Sequence, residues 1–270
     1  MTNCPACSSV IADSRISEPH IAFCDHCGTG ITVPAPSRDV QGDGLFEDES
    51  AGYGGDRLGQ RDQWLLEANR RLSWIEKSCP ATTSILEIGA ATGEFVAAAE
   101  AAGHPVVGLE TSPWAAGTAK ELTSRVELAD LDTWVAAHPG KRFDVIAMFH
   151  VLEHVADPAV FLSSLLTAAN PGAHLFVEVP NGGSAAARAD GIGWWAARPA
   201  DHFFHYSPDG ARLLLEAAGW HVADVRAVGV DIYWQGARAP LVTAAKDLVR
   251  PVFGKPPRPR DLLRVVAAVR

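Results

Sequence analysis

The chain has 270 residues, 47% of them hydrophobic and 20% charged, with a formal net charge of −9. That length accommodates one large domain, or one domain and a small module, around a substantial buried core. The negative charge weighs against a bare polyanion as main partner, no apolar run approaches the roughly 18 residues that span a membrane, and no basic-then-apolar signal opens the chain; a cytoplasmic protein is expected.

Four of the five cysteines form two pairs, Cys4-Pro-Ala-Cys7 and Cys24-Asp-His-Cys27, with sixteen residues between them. This is the C-x2-C-x15–20-C-x2-C zinc spacing. Each CxxC turn aims two thiolates at one point, and two such turns complete a tetrahedron around Zn²⁺. Four thiolates leave no open position, so the metal is expected to stabilise folding. Two disulfides are the alternative, disfavoured without a secretion signal. His26 lies between two ligands and reads as a neighbour of the metal or a solvated ring. Cys79 is isolated and reads as an ordinary thiol.

Residues 1–34 are read as this zinc-ribbon-like module, with short strands at Ile21 to Phe23 and Ile31 to Val33. Residues 35–60, with prolines, glycines and the acids Glu47, Asp48 and Glu49, read as a flexible linker or loop. Within it Tyr53 is flanked by glycines and can fold over a ligand. Residues 61–270 read as the main domain. Arg61 to Lys77 has a helical period, with Trp64, Leu65, Ala68, Leu72 and Ile75 on one face and charges elsewhere. Ser84 to Phe95, SILEIGAATGEF, is a strand that runs into a small-residue turn and then a helix to Ala102. Pro105 to Glu110 is a second strand, and Ser112 and Pro113 open a helix to about Leu122. Val126 to Leu128 is a third strand, followed by Asp130. Phe143 to Phe149 is a fourth. Pro158 to Ala169 is a helix, Asn170-Pro-Gly172 a turn, and Ala173 to Val179 a fifth strand. Ser207-Pro208 opens a helix that closes at Gly219. Trp220 to Val228 and Leu262 to Val269 complete seven strands. Strands alternating with helices predict an α/β fold with a mainly parallel, doubly wound sheet. Two stretches break the alternation and read as lid-like insertions, about 184–206 and 229–260.

The turn after the first strand is Gly89-Ala-Ala91-Thr-Gly93-Glu94. Ala91 and Glu94 break the dinucleotide fingerprint, and no Lys-Ser/Thr follows as a P-loop requires. Glu87 beside the turn would repel a pyrophosphate. An acid ending the second strand, Glu110, suits ribose hydroxyls. S-adenosylmethionine has a ribose, an ammonium group, a sulfonium and no phosphate.

EIGAATGEF resembles motif I of class I S-adenosylmethionine-dependent methyltransferases, with Ala91 for the middle glycine. FDVIAMFHVLEHVADP, Phe143 to Pro158, and DHFFHYSPDGARLLLEAAGW, Asp201 to Trp220, resemble the fourth-strand and histidine-rich motifs of the ubiquinone-methyltransferase-like branch. The resemblance covers about Asp62 to Arg270 and implies a Rossmann-like methyltransferase domain. It implies that Glu87, Gly89, Ala91 and Gly93 line the methionine and ribose end of the cofactor. Glu110, with Thr111 beside it, takes the ribose hydroxyls, Asp130 and Leu131 flank the adenine, and Phe149 and His150 face the methyl donor. The cysteine-rich start also resembles the front of sugar C-methyltransferases.

Methyl transfer to a hydroxyl or an activated carbon needs a proton removed, and histidine suits that task. The candidates are His150 at the strand end, His154 in the Leu-Glu-His motif, and His202 and His205 among aromatics. Trp194 and Trp195 read as packing residues of the same segment. The expected acceptor is a small molecule, a specialised metabolite, with oxygen favoured slightly over carbon. A peptide or RNA acceptor docked by the zinc module is the alternative. The basic stretch Lys246, Arg250, Lys255, Arg258, Arg260 and Arg264 allows RNA, but no aromatics interleave it and nucleic acid is not the expected partner. A non-catalytic cofactor-binding scaffold is the third reading.

Overall fold

The structure, a computed structural model, describes residues 2–11, 19–36, 58–81, 83–229 and 260–269. Tyr53, most of the second insertion, and Lys246, Arg250, Lys255 and Arg258 lie outside the described residues. No helix among the described residues is long and apolar enough to cross a membrane.

The alternation of side chains along the strands decides the architecture. In β5 (Ile85–Ile88), Leu86 and Ile88 join one apolar cluster and Ile85 joins another. In β8 (Phe143–Phe149), Ile146 and Met148 face the first cluster and Val145 and Ala147 the second. Both faces of the sheet are therefore covered, as parallel strands require. The other strands of this sheet are β6 (Val106–Glu110), β7 (Val126–Leu128), β9 (Ala169–Pro180), β11 (Trp220–Val228) and β12 (Leu262–Val269). Their order is β11-β12-β9-β8-β5-β6-β7, and β12 runs antiparallel to both its neighbours while β5 to β9 are parallel. This is the expected seven-stranded, mainly parallel, doubly wound sheet.

Helices α1 (Arg61–Ser78), α2 (Glu94–Ala101) and α3 (Pro113–Ala119) cover one face through Ala68, Leu72, Ile75, Phe95, Val96 and Ala116. Helices α4 (Leu131–Ala137), α5 (Pro158–Ser164) and α7 (Pro208–Ala217) cover the other through Leu131, Trp134, Leu162 and Leu214. The short α6 (Ala185–Asp190) lies in the first insertion. Serine and proline start helices as the sequence indicates. Ser112 accepts from the Ala115 N–H at 3.1 Å and Ser207 from the Gly210 N–H at 2.9 Å, caps worth about 1 kcal/mol each.

Several boundaries differ from the sequence reading. The helix after Pro158 ends at Ser164 and tightens into a 3-10 turn, Leu165–Ala168. Asn170-Pro-Gly172 is not a free turn. It is a bulge inside β9, because Asn170 Nδ2 donates to Asp144 Oδ1 at 2.8 Å and the pairing jumps from Phe143–Ala169 to Val145–His174. Helices α4 and α6 were not foreseen.

The cysteine module has two small sheets. One pairs β1 (Thr2–Asn3) with β2 (Val10–Ile11). The other is ordered β10-β4-β3, from β3 (His20–Phe23), β4 (Gly30–Val33) and β10 (Phe204–His205). β10 belongs to the first insertion, so that segment supplies the third strand to the module. Ile21 packs on Ala187, Trp194, Ala196 and Ala197 of the same segment. Cys4, Cys24, Cys27 and Ile31 share one cluster with Tyr206 and Leu214 of the main domain. At Gly210 a Cβ would lie 1.8 Å from Thr29 Oγ1, so only glycine lets α7 approach the module this closely.

Candidate functional site

From β5 the chain goes one way to β6 and β7, and from β8 the other way to β9. A crevice opens at the carboxyl ends of strands where the order switches in this way. The residues that follow β5, β6, β7 and β8 all lie on that edge. After β5, Gly89, Ala91 and Gly93 take positive φ of 72°, 48° and 84°. A Cβ on Gly89 would lie 2.5 Å from Val151 Cγ2. Ala91 holds a left-handed conformation that costs an L-residue roughly 1–2 kcal/mol, and its N–H is fixed in return. It donates to Glu110 Oε2 at 2.8 Å, while the N–H groups of Thr111 and Ser112 donate to Glu110 Oε1, also at 2.8 Å. One buried carboxylate thus ties the ends of β5 and β6 together. Three donors fill three of its roughly four lone-pair positions. Glu87 is buried within β5. Asp130 caps α4 by accepting from the Thr133 N–H at 2.7 Å, which holds its carboxyl below the usual range, and Leu131 beside it is buried.

β8 ends in Phe149 and His150. Phe149 is gripped between Phe95, edge-on at 5.0 Å, and the Arg71 guanidinium, 4.5 Å above its ring. His150 sits at φ 60°. Its Nδ1 is 3.2 Å from Glu153 Oε1 and its Nε2 is 3.6 Å from Glu178 Oε1. Burial pulls the imidazole pKa down, but the two carboxylates outweigh it and the pKa is raised. Glu178 is itself fully buried. Arg71 reaches its Oε1 at 2.6 Å and Arg264 its Oε2 at 2.6 Å, and Arg264 continues to Glu67 at 2.9 Å. Burial raises the Glu178 pKa, but Arg71, His150 and Arg264 bring it well below the usual value. A chain of alternating charges from α1, β9 and β12 therefore supports the end of β8.

The sequence reading placed charges of α1 away from the core. Glu67 and Arg71 are instead buried, because each meets a partner more than a hundred residues away. Arg264, read as part of a basic stretch, is committed to Glu178 and Glu67. Arg71, Glu178, Glu67 and Glu153 are the site residues that pattern alone missed. Charged positions at the helical period of buried ones were the available signal in α1.

The other three candidate histidines are near one another but differently engaged. His154 Nδ1 is 3.1 Å from Asp201 O and its ring packs edge-on at 4.6 Å from His202. His202 and His205 are almost fully buried rather than at the open face of a lid. His205 Nε2 is 2.9 Å from Thr32 Oγ1 of the cysteine module. Burial pulls its pKa down to about 4, against the opposing charge of Glu153. Trp194 is buried and Trp195 half-exposed.

In the module, each CxxC turn closes alike, with the Ser8 N–H on Cys4 O at 2.9 Å and the Gly28 N–H on Cys24 O at 2.8 Å. The four cysteines are free, and their sulfurs lie within 4.8 Å of one another, with Cys4–Cys27 at 3.4 Å and Cys7–Cys24 at 3.6 Å. Thiolates 2.3 Å from a tetrahedral ion stand about 3.8 Å apart, so the four sulfurs fit one metal. His26 is exposed.

Comparison with known proteins agrees with the fold. Residues 59–225 match the model of a family described as a methyltransferase domain. The chain belongs to this methyltransferase-domain family. A ubiquinone biosynthesis O-methyltransferase of Thiobacillus denitrificans is 32% identical over 118 residues, which is 41% of this chain and 50% of that protein. The chain thus spans about half the length of the curated relatives it matches. Among solved structures, an S-adenosylmethionine-dependent methyltransferase from Archaeoglobus fulgidus aligns with TM-score 0.55 at 16% identity, over 79% of this chain and 99% of that one. The Burkholderia thailandensis 1,6-didemethyltoxoflavin-N1-methyltransferase, solved with 1,6-didemethyltoxoflavin and S-adenosylhomocysteine, aligns with TM-score 0.55 at 19% identity over 94% and 99%. These structures share the fold of the methyltransferase domain described above.

Proposed function

We propose that this methyltransferase-domain protein transfers the methyl group of S-adenosylmethionine to a small-molecule acceptor, a specialised metabolite, with oxygen slightly favoured over carbon. The carrying observation is the positive-φ turn at Gly89 to Gly93, closed by Glu110 at the crevice edge of a chain in this family. The donor supplies a methyl carbon already activated by its sulfonium. The chain's residues then bind and align. The turn lets backbone approach the methionine and ribose end, and the lone pair left on Glu110 receives a ribose hydroxyl. Glu87 faces the cationic end with negative charge, and Asp130 and Leu131 border the adenine. Phe149 and His150 close the floor by which donor and acceptor meet. Alignment for in-line displacement supplies much of the acceleration. In this reading His150, at the strand end between Glu153 and Glu178, takes the acceptor's proton, with His154, His202 and His205 as the other candidates.

The four cysteines are assigned a structural Zn²⁺, with all four positions filled by protein. The RNA reading loses the support of Arg264, which is engaged inside the domain. The test is direct. S-adenosylhomocysteine should raise the melting temperature of the purified chain, and a homocysteine-release screen of hydroxylated small molecules should find turnover. No stabilisation by either S-adenosylmethionine or S-adenosylhomocysteine contradicts the proposal.

A further inference from the structure

His205 is 1% exposed and Trp194 3%, and among the described residues neither His205 Nδ1 nor Trp194 Nε1 has a hydrogen-bond partner. The state of the imidazole follows from Thr32, in β4 of the cysteine module. Thr32 Oγ1 lies 2.6 Å from His202 O and 2.9 Å from His205 Nε2. A carbonyl only accepts, so the one hydroxyl hydrogen goes to His202 O. Toward His205 the same oxygen then accepts, and Nε2 carries the ring hydrogen. In the neutral ring, the form that burial favours, Nδ1 is left with a lone pair. Strand register holds Thr32 in this position. Its N–H donates to Phe203 O at 3.0 Å, and β10 pairs with β4 through Phe204–Ile31 and His205–Gly30. The same segment is tied to the turn after β8, which begins with His150. There the Phe203 N–H donates to Glu153 O at 2.8 Å and the Tyr206 hydroxyl to Leu152 O at 3.3 Å.

A buried donor or acceptor left without a partner is destabilising. Here one of each stands on rings whose centroids are 6.1 Å apart, and two hydrogen bonds through one oxygen span up to about 6 Å. A carboxylate would present only lone pairs to Nδ1, and an ammonium only hydrogens to the Trp194 N–H. A hydroxyl suits both, because it gives one hydrogen and accepts through its oxygen. We propose that His205 Nδ1 and Trp194 Nε1 form a subsite for a hydroxyl group of the acceptor, and that Thr32 is the positioning residue that fixes the His205 tautomer for it. The hydroxyl donates to Nδ1 and accepts from the Trp194 N–H, and no bond to it breaks. The cysteine module thereby takes part in recognition, and the acceptor class narrows to molecules with a hydroxyl to anchor. The subsite rests on the small-molecule methyltransferase reading above for the identity of its ligand as acceptor.

Long-range proton–nitrogen NMR spectra of the full chain, with nitrogen-labelled histidine and tryptophan, read the tautomer and both nitrogens. His205→Gln and Trp194→Phe assign the two signals by their loss. The wild type should carry the His205 hydrogen on Nε2. Thr32→Ser should keep that tautomer, and Thr32→Val should give a mixture or the reverse; rescue by serine separates the hydroxyl from the packing of the side chain. Methanol is the hydroxyl probe. Acetonitrile, which accepts but has no hydrogen to donate, is its control. Methanol should move the His205 Nδ1 and Trp194 Nε1 signals together with one midpoint, and acetonitrile should leave His205 Nδ1 in place. A wild-type hydrogen on Nδ1 overturns the proposal and decides it even if Thr32→Val does not fold. An unchanged tautomer in a folded Thr32→Val also overturns it, as does a methanol response at fewer than both nitrogens, which assigns the place to a fixed water, or an equal response to acetonitrile. None of these spectra uses S-adenosylmethionine or turnover, so failure here is distinct from a failure of S-adenosylhomocysteine to stabilise the chain.

Discussion

At the ends of β5 and β6 the site is made of backbone. A turn of small residues and three N–H groups converge on Glu110, and everything needed lies between Gly89 and Ser112. Beyond β8 the site is made of side chains from distant parts of the sequence. Arg71 meets Glu178 across 107 positions, Glu67 meets Arg264 across 197, and Thr32 meets His205 across 173. The first region depends on conformation and tolerates little change of shape. The second depends on buried charges and lone pairs, each of which relies on a partner elsewhere.

The largest effect should come from the charge-built region. Arg71→Ala leaves Glu178 buried with one cation fewer, and chemical denaturation should show a loss of about 3–5 kcal/mol. A loss below about 1 kcal/mol would show that water or a neighbour replaces the guanidinium. Next is the backbone-built region. Gly89→Ala forces an L-residue into φ 72° and a methyl against Val151, so about 1–2 kcal/mol of stability and most S-adenosylhomocysteine affinity should go together. Unchanged affinity would separate the turn from the donor. Thr32→Val strands the His202 carbonyl and the His205 N–H, and thermal unfolding should register about 1–2 kcal/mol. The smallest effect concerns Asp144, whose pKa is lowered by the Ser84 N–H, the Ser84 hydroxyl and Asn170. A carboxyl lowered in the folded state adds stability above its unfolded value of about 4, and that stability is lost as pH falls through the folded value. Asp144→Asn should therefore show a shallower loss of stability below about pH 4 than the wild type.

The same contrast explains what could be read from the chain before its structure. SILEIGAATGEF carries its strand, turn and helix in adjacent residues, and the strands at Trp220 to Val228 and Leu262 to Val269 are legible as apolar runs. The CxxC pairs are legible because the spacing within each pair is local. The histidines of residues 202–205 were visible as unusual, but their surroundings were not. Their neighbours come from β4 and from the turn after β8, and only pairing of β10 with β4 brings these together. Arg71 and Glu67 follow the helical period of buried residues, yet a charge in that position looks like a solvated face until its partner on β9 or β12 is known. Asn170-Pro-Gly172 reads as a turn because nothing nearby announces that Asp144 will hold it in a bulge.

The contrast has one direct test that needs no acceptor. Titration calorimetry of S-adenosylhomocysteine is run on the wild type, Glu110→Ala and Cys24→Ser. The account predicts one site in the wild type, affinity lost by about a hundredfold or more in Glu110→Ala, and affinity kept within about threefold in Cys24→Ser, since the cysteine module packs on Ala187, Trp194, Ala197 and Gly210, whereas Glu110 is held by Ala91, Thr111 and Ser112. Full affinity in Glu110→Ala, or equal losses in the two variants, would contradict it.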